Sequence, residues 1–190
     1  SWLESPASLL FFRSVRTLQI GDDIAAWQPH APGPVENSEW FSLAGSDSPP
    51  VLLIRSLEEE FPEEAIAEIR EERMISDSEE SDLPPCAIEV VLGLEGRLYV
   101  VLPTGVCTSL PFACNGPFIQ DPARLKIKDP ETSPTNRWLL ERVGQLAATA
   151  MLQWLNRSDL TIAERSQAYR LLVPRGRFDN SLEGDCETII

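Results

Sequence analysis

The sequence contains few of the residues that build metal centres and disulfide frameworks. It has one histidine, His30, and four cysteines, none of them in a C-x-x-C pair. His30 lies in a proline-rich stretch without other metal-ligand types nearby, so we expect no metal site. The cysteines favour reduced, mostly buried thiols of an intracellular protein over a disulfide framework: they are Cys86, Cys107, Cys114 and Cys186.

Long apolar runs and secretion signals are also missing. No stretch reaches the roughly 18 apolar residues that a membrane-spanning helix needs, and no basic segment followed by an apolar one opens the chain. We therefore expect an intracellular, cytoplasmic protein. The chain opens with Ser1 and enters an apolar segment almost at once, a pattern that we interpret as a chain cut from a longer protein.

The common signatures of nucleotide-binding and hydrolytic sites are absent as well. The sequence has no G-x-x-x-x-G-K-[ST] loop to hold phosphates and no G-x-G-x-x-G after a strand. It has no G-x-S-x-G elbow and no H-E-x-x-H pair. With a single histidine, a serine or cysteine nucleophile activated by histidine is disfavoured. A stand-alone hydrolase is therefore poorly supported.

Charge of one sign dominates what is present. Sixteen basic against 30 acidic residues give a net charge of -14, in a chain of 190 residues that is 43% apolar. Such a protein repels nucleic-acid backbones and anionic membranes, so we expect neither as a partner. The length suffices for one sizeable core. We predict one domain over residues 1–175 and a polar tail over residues 176–190.

Strand signals dominate the first half of the chain. Residues 12–20 predict a partly buried strand, in which Phe12, Leu18 and Ile20 share one side. Residues 28–38 carry three prolines and predict a loop. Two short strands are predicted next, Glu39–Ala44 and Val51–Ser56, on either side of turn-forming residues.

An acidic block occupies residues 58–82, with twelve acidic residues against Arg70 and Arg73. Its middle, Pro62 to Met74, has helical spacing and predicts an amphipathic helix that starts near Pro62. Residues 76–82 contain no apolar side chain and predict a mobile loop. The block is either a solvated helix and linker or a docking segment for a basic partner.

The second half predicts a hairpin followed by helices. Ala87–Leu94 and Leu98–Leu102 are strong strand segments joined by a Glu-Gly turn. Asn136–Leu155 has apolar residues at spacings of three, four and seven and predicts an amphipathic helix that packs on the sheet. Thr161–Leu172 predicts a second helix. The order of elements predicts an α/β fold: a mixed sheet of about five or six strands with C-terminal helices on one face.

Between the hairpin and the long helix lies a segment rich in proline and glycine, residues 103–127. Its anchors are Leu110-Pro111-Phe112 and Asn115-Gly116-Pro117-Phe118, and Arg124 follows them. An arginine fixed on such a rigid backbone can be presented to an anion at little entropic cost. The alternative is a surface arginine paired with one of the many local acids.

These residues carry a resemblance to a known family. The string LPTGVCTSLPFACNGPFIQDPARLKI, followed by N-R-W-L-L-E-R-V, resembles the sacsin-like branch of the GHKL ATPases, the superfamily that includes the heat shock protein 90 chaperones. The apolar start of the chain and the segment around Tyr169 to Pro174 are also similar to that branch, in the same order. Ala113 stands where members often have histidine, and Leu125 where a second basic residue is frequent.

The ATP-binding motifs of the superfamily are missing, so the chain resembles its transducer, or middle, domain alone. The resemblance implies that ATP and Mg are bound by a neighbouring N-terminal domain and that this chain alone binds none. It implies that Arg124 reaches the γ-phosphate, with Lys126 as the second candidate. It also places Asn115 and Gly116 in the cofactor-binding loop.

Two functions follow from the sequence. The first is the non-catalytic half of a sacsin-like, chaperone-like ATPase that couples the ATP state to conformational change. Its partners would be the ATP-binding domain, a client protein and a second copy of the full-length protein. The second is an acidic interaction module that docks a basic partner through residues 58–82 and the amphipathic helix, with no role in ATP hydrolysis.

Overall fold

The computed structural model describes residues 6–12, 15, 17–75, 83–173 and 181–190. In this part of the chain eight strands form one mixed sheet, with helices on both sides of it, so the α/β prediction is confirmed with more strands than expected. The strands are β1 (Thr17–Ile20), β2 (Asp23–Pro32), β3 (Ser38–Leu43), β4 (Val51–Arg55), β5 (Glu89–Leu92), β6 (Arg97–Val100), β7 (Leu102–Cys107) and β8 (Phe112–Asn115). The helices are α1 (Ser8–Phe11), α2 (Glu63–Glu72), α3 (Pro134–Leu155), α4 (Ile162–Ser166), a 3₁₀ helix (Gln167–Leu171) and α5 (Leu182–Ile189).

The strand order is β1-β2-β3-β4-β5-β8-β6-β7, and the prediction that β5 and β6 form a hairpin is wrong. Strand β8 lies between them, antiparallel to β5 and parallel to β6. The chain leaves β5 through Gly93, whose φ of +102° favours glycine. Thr108, on the way from β7 to β8, donates its N–H to the Gly96 carbonyl at 2.9 Å. The Glu-Gly turn therefore contacts the segment between β7 and β8 and does not close a hairpin.

Strand β2 replaces most of the loop predicted over residues 28–38. Its residues 23–26 pair with β1, whereas residues 27–32 pair with β3 on one side alone. Pro29 and Pro32 therefore lie where no second ladder needs their missing N–H, and the register shifts between Pro29 and Ala31. Prolines at an open sheet edge are compatible with a strand, which is why the loop prediction failed here.

The predicted strand over residues 12–20 is also shorter than expected. The apolar residues Ser8–Phe11 form the helical turn α1, and β1 begins only at Thr17. Trp27 donates its indole N–H to the Pro6 carbonyl at 3.0 Å, which anchors α1 against β2. The residues of α1 therefore cover one face of the sheet and do not form a strand of it.

The two faces of the sheet carry separate apolar cores. Strand β4 shows the alternation, since Leu52 and Ile54 face one core and Val51 and Leu53 the other. The first core packs beneath α3 and α5, as the predicted stripe of α3 implies. The second core packs beneath α1, where the rings of Phe11 and Tyr99 lie 5.0 Å apart. Burial on both faces explains why the central strands are almost wholly apolar.

Helix α2 begins after Pro62, as predicted, and one of its acidic residues, Glu68, is buried. Glu68 is buried, accepts hydrogen bonds from Ser133 Oγ at 2.9 Å and Thr135 N at 3.0 Å, and forms an ion pair with Lys128 at 2.9 Å. It therefore caps the first turn of α3. The mobile loop predicted over residues 76–82 lies outside the described residues.

The C-terminal segment corrects two predictions. Thr161–Leu172 is not one helix but α4, opened by a Thr161–Glu164 capping box, followed by the 3₁₀ helix. The polar tail predicted over residues 176–190 does not describe residues 182–189, which form α5 and bury Cys186 against the first core. No helix in the described ranges is both apolar and long enough to span a membrane.

All four cysteines are free thiols, as predicted. Burial raises the pKa of the Cys114 thiol well above its usual value, and that of Cys186 to about 12. Both stay protonated at neutral pH and act as small apolar groups in the first core. Cys86 is half-buried, and Cys107 is exposed on β7, which departs from the expectation of mostly buried thiols.

Candidate functional site

Arg124 lies on a short closed turn between β8 and α3. Asp121 organises this turn: its N–H donates to the Lys126 carbonyl at 3.0 Å, and its carbonyl accepts from Arg124 N at 2.8 Å. The Asp121 carboxylate accepts from the N–H groups of Leu125 at 2.8 Å and Lys126 at 3.0 Å. Two backbone hydrogen bonds and two to the Asp121 carboxylate thus close the turn over residues 121–126. Arg124 lies on this closed turn.

The backbone of Arg124 is in the left-handed region, with φ of +55°. For a residue with a Cβ this conformation costs about 1–2 kcal/mol. Such strain persists where the surrounding structure fixes it, and it concentrates at functional sites. Glycine would adopt this backbone conformation at lower cost, so an arginine here is energetically less favourable for the backbone.

The turn is attached to the sheet edge through Gly105. Its N–H on β7 donates to the Leu125 carbonyl, and a Cβ at Gly105 would lie 3.0 Å from that oxygen. We expected Gly105 and Gly116 to adopt backbone conformations closed to other residues, but neither has a positive φ. Close approach is the reason instead, since a Cβ at Gly116 would lie 3.2 Å from the Phe118 ring.

Arg124 is exposed and makes no hydrogen bond or ion pair through its guanidinium with a described residue. It lines a groove of about 500 Å³ that runs between α2 and the segment 117–124. We call this the arginine groove because Arg73 lines it as well. Its apolar lining includes Phe61, Ile69 and Phe118. The alternative of an arginine neutralised by a local acid is therefore not what the structure has.

Lys126, the second candidate, is engaged elsewhere. Its ammonium forms an ion pair with Glu183 of α5 at 2.9 Å. The hydrogen bond and charge of Glu183 raise the pKa of Lys126 above its usual value. Lys126 lines a depression beside Leu182 that adjoins the arginine groove, since Glu72, Gln120, Asp121 and Pro122 line both. It fastens α5 to the turn, and the structure does not bring it into the arginine groove.

Asn115 and Gly116 lie at the end of β8, in a larger groove of about 1070 Å³. The Asn115 side chain accepts from Val101 N at 2.8 Å and donates to Glu89 at 2.8 Å, and Glu89 also binds Arg55 at 2.8 Å. Asn115 therefore ties the backbone together, as expected of its amide. The larger groove adjoins the arginine groove, because Phe61, Ile69, Arg73 and Pro117 line both.

Two arginines with structural contacts, Arg142 and Arg73, were not predicted from the sequence. Arg142, buried on α3, binds Glu59 at 3.1 Å and the carbonyls of Leu57 at 3.0 Å and Cys86 at 3.1 Å. It joins α3 to the segments before and after α2. Arg73 caps the end of α2 and lines the arginine groove. The available signal for Arg73 was that the acidic block contains only two arginines, whereas no pattern in the sequence marked Arg142.

No family model, no curated protein and no solved structure matches this chain. Within the described ranges, no three His, Cys, Asp or Glu side chains are placed to share a metal ion.

Proposed function

We propose that this chain is the transducer domain of a sacsin-like GHKL ATPase and that Arg124 is its γ-phosphate sensor. The observation that carries the proposal is one exposed guanidinium, without a carboxylate partner among the described residues, on a strained turn closed by Asp121. The resemblance of residues 102–127 to the sacsin-like branch gives the ligand. The domain is not catalytic alone.

The chemistry of the arginine fits this role. A guanidinium grips two phosphate oxygens at once and offsets the negative charge that develops on them during transfer. ATP and Mg are held by the neighbouring ATP-binding domain, which supplies the triphosphate to the arginine groove. Because the turn is joined to β7 through Gly105 and to α5 through Lys126, a pull on Arg124 is transmitted to the sheet and to a helix.

The same proposal defines partners and location. The first partner is the N-terminal ATP-binding domain of the same protein, with a client protein and a second full-length copy as further partners. We place the protein in the cytoplasm. Residues 102–127 thus respond to the presence of the γ-phosphate, and the rest of the domain transmits this response as a conformational change.

The test is ATP turnover of the full-length ATPase with Arg124→Ala. Loss of a comparable electrostatic contact lowers rates by roughly 10²–10³-fold, and we expect a loss of that size here. Arg170→Ala is the matched control, because Arg170 is exposed on the 3₁₀ helix, far along the chain from the turn, and removes the same charge. Equal turnover in wild type and Arg124→Ala rejects the sensor.

The second function, docking of a basic partner through the acidic block, predicts a different readout. Its binding should weaken with salt and should survive Arg124→Ala. The structure reduces the number of carboxylates available for it, since Glu68 and Glu72 bind Lys128 and Glu59 binds Arg142. The first function therefore has the stronger geometric support.

A further inference from the structure

The arginine groove contains a second cation that the resemblance does not supply. Arg73 is the C-cap of α2, where its N–H donates to the Ile69 carbonyl at 3.0 Å. Its side chain lines the groove together with that of Arg124. Arg73 is exposed, and like Arg124 it makes no ion pair with a described carboxylate. The groove thus brings together two unneutralised guanidiniums from segments about fifty residues apart in sequence.

Arg73 and Arg124 have no carboxylate partner among the described residues, in a chain with 30 acidic and 16 basic residues. Arg73 has Glu71 and Glu72 as sequence neighbours, yet the Glu72 carboxylate binds Lys128 at 2.9 Å. Five other cations of the described part pair with acids within 4 Å, namely Arg55, Lys126, Lys128, Arg142 and Arg157, whereas Arg70, Arg97, Arg137, Arg165 and Arg170 do not. Arg73 and Arg124 differ from those five unpaired arginines because they line one groove together.

The carboxylates that line the groove are already engaged. Glu72 binds Lys128, and the Asp121 carboxylate accepts the two backbone N–H groups that close the turn. Each of these carboxylates thus has a described partner other than Arg73 or Arg124. The groove lining thus holds two guanidiniums and two engaged carboxylates around the apolar side chains of Phe61, Ile69 and Phe118, beside which electrostatic attraction is stronger than in open water.

We infer that Arg73 and Arg124 form a two-guanidinium clamp for a polyphosphate, with Arg73 as a second phosphate-binding residue. The inference rests on the proposed function for the source of the anion, the terminal phosphates of ATP held by the neighbouring domain. Two guanidiniums that line one groove can hold more phosphate oxygens than one arginine alone. The clamp also joins α2 to the turn only when the anion is present, so α2 becomes part of the nucleotide response.

The direct test uses this chain and inorganic tripolyphosphate, observed by the arginine side-chain N–H signals in two-dimensional NMR at low ionic strength. We expect the signals of Arg73 and Arg124 to shift together and to saturate in the millimolar range. Arg73→Ala and Arg124→Ala should each weaken binding by roughly tenfold or more, as for a lost charge-assisted hydrogen bond. Arg73→Lys should restore part of the affinity.

Arg70→Ala is the matched control, because Arg70 lies on the same helix and lines a different groove. A shift of Arg124 alone, or equal binding by Arg73→Ala and Arg70→Ala, overturns the clamp. Turnover of the full-length ATPase separates the two proposals. If Arg124→Ala lowers turnover and Arg73→Ala behaves like Arg70→Ala in both assays, the clamp fails and the sensor stands. If the clamp binds tripolyphosphate but Arg124→Ala leaves turnover unchanged, the sensor fails.

Discussion

Arg124 combines an unfavourable backbone with a free charge, and the two can be separated by substitution. Its φ of +55° penalises every residue with a Cβ, whereas glycine adopts this conformation readily. The guanidinium makes no contact among the described residues that would offset the penalty. At the scale of the residue, the backbone of Arg124 therefore lowers the stability of the folded state, while its side chain is exposed to solvent.

We predict that Arg124→Gly is more stable than Arg124→Ala by about 1 kcal/mol, since only glycine relieves the left-handed backbone. At an ordinary exposed position the order would be reversed. Urea denaturation of the two variants gives the free energies of unfolding. Equal stability, or a more stable alanine variant, would show that the turn is not strained. Both variants should lack the clamp.

Glu68 is a second residue whose role can be measured, through its titration. Burial raises the pKa of Glu68, but hydrogen bonds from Thr135, Lys128 and Ser133 lower it more, so the pKa of Glu68 lies below its usual value. A carboxyl whose pKa is lower in the folded state stabilises the fold above its unfolded pKa. That stabilisation is lost as the pH falls through the folded pKa.

Glu68→Gln should therefore reduce the free energy of unfolding at pH 7 by about 1–3 kcal/mol, because it replaces charge-assisted hydrogen bonds. The difference from wild type should shrink from about pH 5 downward as the wild-type carboxyl is protonated. Thermal unfolding over this pH range measures it. Glu71→Gln, an exposed position on the same helix, is the control. A difference that persists unchanged in acid would show that the charge of Glu68 is irrelevant.

The residues of the site were predictable in part. Arg124 was predicted because the proline and glycine residues around it are typical of a rigid turn. Arg73 was not found, because an arginine among twelve acids is expected to be neutralised locally. Only the structure shows that Glu72 binds Lys128 instead. Lys126 was predicted beside the phosphate, but Glu183, which lies 57 residues further along the chain, engages it.

At the scale of elements, helix α5 is attached to the turn and to the segment between β7 and β8. Lys126 binds Glu183, and Ser109 N donates to the Glu187 carboxylate. The end of α5 rests against α3 at Gly144, where a Cβ would lie 2.4 Å from the Ile190 carbonyl oxygen. The absence of a side chain at Gly144 is thus what permits this close contact.

Gly144→Ala should strengthen α3 but displace the end of α5. The substitution adds about 1 kcal/mol of helix propensity, yet the backbone oxygen of Ile190 must move away. We expect the amides of residues 187–190 to exchange with solvent at least several-fold faster, while global stability changes little. Hydrogen exchange followed by NMR measures this. Thr149→Ala, exposed on the same helix, is the control, and equal exchange in both variants contradicts the role of Gly144.

Elements with a strong local signal were predictable, and those defined by distant partners were not. The apolar spacing of α3 places it to within two residues. Strand β2 was hidden by its prolines, because the sequence does not show that half of it lies at an open edge. Helix α5 looks polar, although Leu182, Cys186 and Ile189 recur at helical spacing.

At the scale of the whole molecule, the sheet order explains how the site is assembled. Strand β8 inserts between β5 and β6, and the segment that follows it contacts both the edge strand β7, at Gly105, and helix α2. Such a crossing depends on pairing between distant strands, and local periodicity gives no indication of it. The sequence therefore indicated the fold class and the helical face, but not the strand order or the second core.

ATP turnover of the full-length protein shows whether Arg124 takes part in hydrolysis of the nucleotide. Arg124→Ala should lower turnover roughly 10²–10³-fold, while Arg170→Ala should leave it unchanged. The protein must remain folded, which the unfolding transition of each variant verifies. Turnover in Arg124→Ala equal to that in Arg170→Ala would contradict the account, because the guanidinium on the closed turn would then have no part in the reaction.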